Sequence, residues 1–167
     1  ICKFITDNVD EKNPANNSGF TPLYAAAYNG YYDVCKLIIE NVDNKNPANT
    51  EGFTPLYQAA KRGFFDICKL IIDNVDNKNP ANNDGITPLY VAAQEGYYDF
   101  CKLIIDNVDN KNPANTGGFT PLYIAARKGY YDVCKLIIDN VDNKNPANNA
   151  GHTPLYIAAQ NGHFDIC

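Results

Sequence analysis

The chain has 167 residues and a net charge of −5, with a sequence pI near 4.9. That balance argues against a general affinity for nucleic acid or for an anionic membrane, while leaving room for a local basic patch. No run of 18 apolar residues occurs, so membrane insertion is not expected.

The length would suit one globular domain, but internal repetition overrides that reading. The string TPLY begins at Thr21, Thr54, Thr87, Thr120 and Thr153, each 33 residues after the last. Each copy continues with one variable residue, two alanines, two more variable residues and a glycine. A fixed period between about 20 and 50 residues is the signature of a stacked array. The sequence therefore predicts an all-α repeat solenoid of helix-turn-helix units with projecting hairpin or loop arms. Residues 1–167 form a single array, with a partial repeat at 1–14, full repeats at 15–47, 48–80, 81–113 and 114–146, and a partial repeat at 147–167.

In chain order, residues 1–14 read as the tail of a repeat whose beginning is absent, opening at Ile1-Cys2-Lys3 without a methionine. Thr6 stands where later copies carry Ile39, Ile72, Ile105 and Ile138, and a polar residue there suits the natural end of an array. In the first whole unit, Asn16-Asn17-Ser18-Gly19 fits a type I turn. Thr21 then caps a helix with Pro22 in its first position, where a missing N–H does no harm. That helix runs to about Asn29, and Gly30 ends it in the left-handed conformation. A second helix covers Tyr32 to Glu40, with Asp33 in its first turn, where the helix dipole favours it. Val34, Cys35, Leu37, Ile38 and Ile39 make it apolar, while Asp33, Lys36 and Glu40 mark a solvated stripe. Asn41 ends it, and Val42-Asp43-Asn44-Lys45-Asn46-Pro47 leads out as an extended arm.

Helices this short are marginal alone, so stability must come from stacking. The later units repeat the plan without insertion, and the last stops at Cys167, short of its Lys-Leu-Ile-Ile. The chain thus reads as a slice of a longer array. Phe4 and Ile5 at one end, and Leu155, Ile157 and Ile166 at the other, lack their usual cover, which makes end-to-end self-association an expectation.

Cys2, Cys35, Cys68, Cys101, Cys134 and Cys167 also recur every 33 residues. Equivalent positions in stacked helices lie about 8–10 Å apart, whereas a disulfide needs Cα atoms roughly 4.4–6.8 Å apart. Six free thiols are expected, buried in the interior copies and kept reduced in an intracellular, cytoplasmic setting. The lone glycosylation sequon at Asn16-Asn17-Ser18 is the one contrary sign.

The 33-residue period, the TPLY-x-Ala-Ala-x-x-Gly string and the Lys-Leu-Ile-Ile helix together resemble the ankyrin repeat, over essentially the whole chain. The resemblance implies paired antiparallel helices and a projecting β-hairpin, stacked into a curved array. It also implies that proteins are bound on the concave side made by hairpin tips and first helices, and that the chain has no catalytic activity. Two departures stand out. Tyr24, Tyr57, Tyr90, Tyr123 and Tyr156 occupy the place of the family's histidine, and Val42-Asp43-Asn44-Lys45-Asn46-Pro47 that of its Gly-Ala-Asp-Val-Asn-Ala. Asn13, Asn46, Asn79, Asn112 and Asn145 align with the asparagine that hydroxylases modify in the family, but the proline after each departs from that pattern.

No constellation for catalysis, metal or cofactor is expected. His163 and Cys167 lie four residues apart, yet no third group orients the histidine and no second ligand pair is in reach for zinc. The aromatic pairs Tyr31-Tyr32, Phe64-Phe65, Tyr97-Tyr98 and Tyr130-Tyr131 recur in register and read as packing between repeats.

Comparison of the copies points to a binding face, because positions that differ are free of the stack's demands. They fall at the turn tips (Thr50, Glu51, Asp84, Thr116), just after the tip glycine (Phe53, Ile86, Phe119), and in the first helix at Gln58, Val91 and Ile124. They fall most of all in its last turn, at Lys61, Arg62, Gln94, Glu95, Arg127 and Lys128. The residue types alternate over a doubled, 66-residue period: Thr50 and Thr116 mark the two units that carry basic pairs. The expected partner is a protein, acidic in two patches on the order of 20 Å apart. The basic side chains are expected to pack against nothing in the stack. The leading function is an interaction module or scaffold; the alternative is a structural spacer or targeting segment of a larger multidomain protein.

Overall fold

The computed structural model describes residues 2–167, apart from the side chains of Cys2 and Thr6. The expectations for the Cys2 thiol and for Thr6 lie outside the described residues. The chain divides into two compact units, Ile1–Asn82 and Asn83–Cys167. The first holds α1 (Cys2–Asn8), α2 (Pro22–Asn29), α3 (Tyr32–Ile39), α4 (Pro55–Arg62) and α5 (Phe65–Ile72). The second holds α6 (Pro88–Glu95), α7 (Tyr98–Ile105), α8 (Pro121–Lys128), α9 (Tyr131–Ile138), α10 (Pro154–Gln160) and a single 3₁₀ turn, Phe164–Ile166. No strand occurs among the described residues, so the arms are built from turns.

In the first unit α2 packs on α3 and α4, α4 on α5, and α3 on α5. In the second, α6 packs on α7 and α8, α8 on α9 and α10, and α7 on α9. First helices therefore stack on first helices, and second on second. The threonine of each TPLY starts the helix as expected: extended Thr54 accepts from the Tyr57 N–H at 3.2 Å through Oγ1, with proline in the first turn. At the other end Gly63 is left-handed, with φ of 73°, and its N–H returns to the Ala59 carbonyl.

The second helices end differently, and here the departure from the family's glycine is explained. Asn41, Asn74, Asn107 and Asn140 each donate Nδ2 to the carbonyl four residues back, at 2.8–2.9 Å. Lys78 Nζ donates to the Ile72 carbonyl at 2.6 Å and to Val75 at 3.0 Å, placing its charge on the C-terminal end of α5. Side chains thus satisfy carbonyls that a glycine-centred cap would otherwise close.

The core is a ladder of the same residue types. Leu56, Leu122, the pairs Ala59-Ala60 and Ala125-Ala126, Cys68, Cys134, Ile71 and Ile137 are buried, each full burial of a large aliphatic side chain contributing about 1.5–3 kcal/mol. Leu122, covered by α10, is 1% exposed, whereas Leu155 is 48% exposed. Burial of this leucine comes from the next helix pair rather than from its own.

Candidate partner-binding face

The tips are built by one asparagine. Asn49, itself buried, accepts through Oδ1 from the Glu51 N–H at 3.0 Å and the Phe53 N–H at 2.8 Å. Asn115 and Asn148 repeat the arrangement. This holds each tip in one conformation and leaves its variable side chains outside. Neighbouring tips are also tied together. Thr50 donates its N–H and its hydroxyl to the Ser18 carbonyl, both at 3.2 Å. In the second unit, Thr116 N–H meets the Asp84 carbonyl at 3.0 Å, and Asn149 Nδ2 the Thr116 carbonyl at 3.0 Å.

Behind the tip, the residue after glycine lies against the tyrosine of TPLY. Phe53 and Tyr57 ring centroids are 4.7 Å apart, Phe119 and Tyr123 4.9 Å, and His152 stacks on Tyr156 at 4.6 Å. The tyrosine that replaces the family's histidine finds a partner in the next repeat: the Tyr24 phenol hydrogen-bonds with the Gln58 side chain. Burial raises the Tyr24 phenol above its ordinary pKa, against the lowering effect of that bond. Tyr90 is likewise raised by burial and lowered by the nearby Arg127 guanidinium.

The expected site residues separate by depth. Thr50, Glu51, Lys61, Arg62, Asp84, Glu95, Thr116, Arg127 and Lys128 are exposed, and Phe53, Ile86, Gln94 and Phe119 are half-buried. Gln58, Val91 and Ile124 are only 8%, 3% and 4% exposed. Variation among copies at this last position reflects what the interior holds, since Gln58 reaches back to Tyr24.

One expectation about the basic pairs fails. The Arg62 guanidinium carbon sits 3.9 Å from the centroid of the Tyr28 ring in the preceding repeat, a cation–π contact. Sequence reasoning did not pair Tyr28 with Arg62, although Phe20, Tyr24 and Tyr28 follow at i, i+4 spacing, which marks one helix face. Among the described residues, Lys61, Arg62, Arg127 and Lys128 have no carboxylate partner. Gln94 Nε2 instead donates to Glu95 Oε1 at 2.9 Å.

The remaining reactive groups are held in structural roles. Burial pushes the Cys35, Cys101 and Cys134 thiols up to about 12, and Cys68 is raised in the same way. These four are free and buried, and Cys167 is free and exposed. His163 Nε2 lies 3.1 Å from the Arg127 carbonyl, with its ring against Gly129.

Repeated pairs of short helices, the first of each pair capped by Thr-Pro and closed by left-handed glycine, define an all-α repeat protein. A family model described as ankyrin repeats (3 copies) matches residues 41–115 and 107–167, and one described as ankyrin repeat matches residues 18–49. The chain belongs to the ankyrin repeat family, whose members are in general protein–protein interaction modules. No curated protein matches it. None of the helices described is long and apolar enough to cross a membrane.

Proposed function

We propose that this chain is a scaffold in which each unit binds an acidic segment of a partner protein on the side formed by that unit's own tips and first helices. The observation that carries this reading is the exposed cations Lys61 and Arg62 at the end of α4 and Arg127 and Lys128 at the end of α8, none with a carboxylate partner among the described residues, on a chain that is otherwise acidic. In the first unit Thr50, Glu51 and Phe53 complete the face and Gln58 supports it from behind; in the second, Asp84, Ile86, Gln94, Glu95, Thr116 and Phe119 complete it and Val91 and Ile124 support it. Rigid tips lower the ordering cost of binding. The cations set encounter rate and partner choice. The buried, un-ionised thiols suit a reducing, intracellular setting.

The test is a selection of random peptides displayed on phage against the full chain, followed by binding measurements on the recovered peptides. Acidic peptides are expected. Lys61→Glu with Arg62→Glu should weaken them at least about tenfold at low salt and less at high salt, where charges are screened. Lys36→Glu with Lys69→Glu, on the second helices, should do little. A larger loss from that second pair would move the contact to the other side of the repeats. Failure to recover any peptide would favour a spacer.

A further inference from the structure

Each second helix carries a surface row that the first-helix face does not use. On α7 it is Tyr98, Asp99, Lys102 and Asp106; on α9 it is Tyr131, Asp132, Lys135 and Asp139. Lys102 Nζ lies 2.8 Å from Asp106, and Lys135 Nζ 2.9 Å from Asp139. One ammonium thus serves one of two carboxylates, and Asp99 and Asp132 are left without a partner among the described residues. The helix dipole explains why an aspartate stands in the first turn. It does not explain the rings beside it: Tyr98 is 42% and Tyr131 49% exposed.

Between α7 and α9 the surface folds into a cleft of about 300 Å³, lined by Tyr98, Asp132, Lys135, Leu136, Asp139 and Asn140. An aromatic ring comes from one repeat and an unpaired carboxylate from the next, with half-buried Leu136 among the lining residues. Counting the ion pair as neutral leaves the cleft one negative charge. We propose that this cleft receives an arginine side chain from a protein partner, its guanidinium set between the Tyr98 ring and the Asp132 carboxylate and its aliphatic stem on Leu136. Arginine fits better than lysine because its planar head stacks on a ring while its edge donates two parallel hydrogen bonds to a carboxylate. A ring and a carboxylate together favour a cation over a neutral polar group. The first unit repeats the set with Tyr32 on α3 and Asp66, Lys69, Leu70 and Asp73 on α5, where Lys69 Nζ is again spent on Asp73 at 3.1 Å. The chemistry is opposite in sign to that of the first-helix face, so the two sites take different segments.

The experiment is a titration of the isotope-labelled full chain, followed by amide chemical shifts. The probe is the peptide acetyl-Ala-Arg-Ala-Ala-Arg-Ala-amide, and its control carries citrulline, neutral and of the same shape, in place of arginine. Shifts are expected at Tyr98, Asp132 and Leu136, and at Tyr32, Asp66 and Leu70, with the citrulline peptide silent. Tyr98→Ala and Asp132→Asn should each weaken binding at the second-unit cleft about threefold to tenfold. Asp142→Asn, which removes the same charge from an arm, should leave it unchanged. All three side chains are exposed, so the fold is kept. Shifts spread over the arm aspartates, equal effects of Asp132→Asn and Asp142→Asn, or binding of the citrulline peptide would each overturn the assignment.

Discussion

At the scale of single residues, side chains that look alike in sequence do different work. Lys61 and Arg62 are both exposed, but only Arg62 rests on Tyr28. Arg62→Ala should therefore cost about 0.5–1 kcal/mol in urea unfolding, while Lys61→Ala should cost almost nothing. Equal effects would show that the ring contact contributes nothing. The thiols give a second residue-scale prediction. Cys35, Cys101 and Cys134 are raised by burial from 9.0 to about 12, so they stay protonated in the folded chain where the unfolded chain ionises. Their contribution is fully present below the unfolded pKa and is lost as pH rises through the folded one, because above about pH 9 the unfolded state binds fewer protons. Stability should fall between about pH 9 and 12, and replacing these cysteines with alanine should flatten that fall. Thiol titration of the native chain should likewise be slow at these positions and fast at Cys167. The variable position in the first helix was legible as variable but not as buried: the string gives no sign that Gln58 turns inward to a phenol one repeat away.

At the scale of elements, the helix bounds were legible because every boundary carries its own chemistry, Thr-Pro at the start and glycine at the end. The closure of the second helices was not, because it rests on asparagine and lysine side chains whose reach depends on the packed geometry. The aromatic pairs were half legible. The first ring does lie across the preceding repeat's glycine: a Cβ on Gly30 would come within 2.7 Å of the Phe64 ring. The second ring is 39–49% exposed at Tyr32, Phe65, Tyr98 and Tyr131. Gly30 therefore serves two ends, a left-handed φ of 78° and room for a ring, whereas a Cβ on Gly162, at φ 73°, would meet nothing within 4 Å among the described residues. Gly30→Ala should cost clearly more than the roughly 1–2 kcal/mol expected for Gly162→Ala from backbone conformation alone. Equal costs would mean that the ring shifts aside freely. Thr54→Ala removes a buried cap and should cost about 1 kcal/mol.

At the scale of the whole molecule, a net charge of −5 conceals a separation by element. Among the described residues, cations without a carboxylate partner end the first helices α4 and α8, and carboxylates without a cation partner begin the second helices α5, α7 and α9. The class of fold and its family were legible from period and motif, since each repeat restates them. The proposed partner-binding side rests on a set of differences among copies, which the structure divides into exposed and buried residues. The measurement that tests the central claim most directly is photo-crosslinking with a selected acidic peptide. Benzoylphenylalanine is placed at Glu51, an exposed tip position, or at Lys36, an exposed position on a second helix. An adduct from position 51 and none from position 36 is the predicted result; an adduct from position 36 and none from position 51 would contradict the assignment of the binding side.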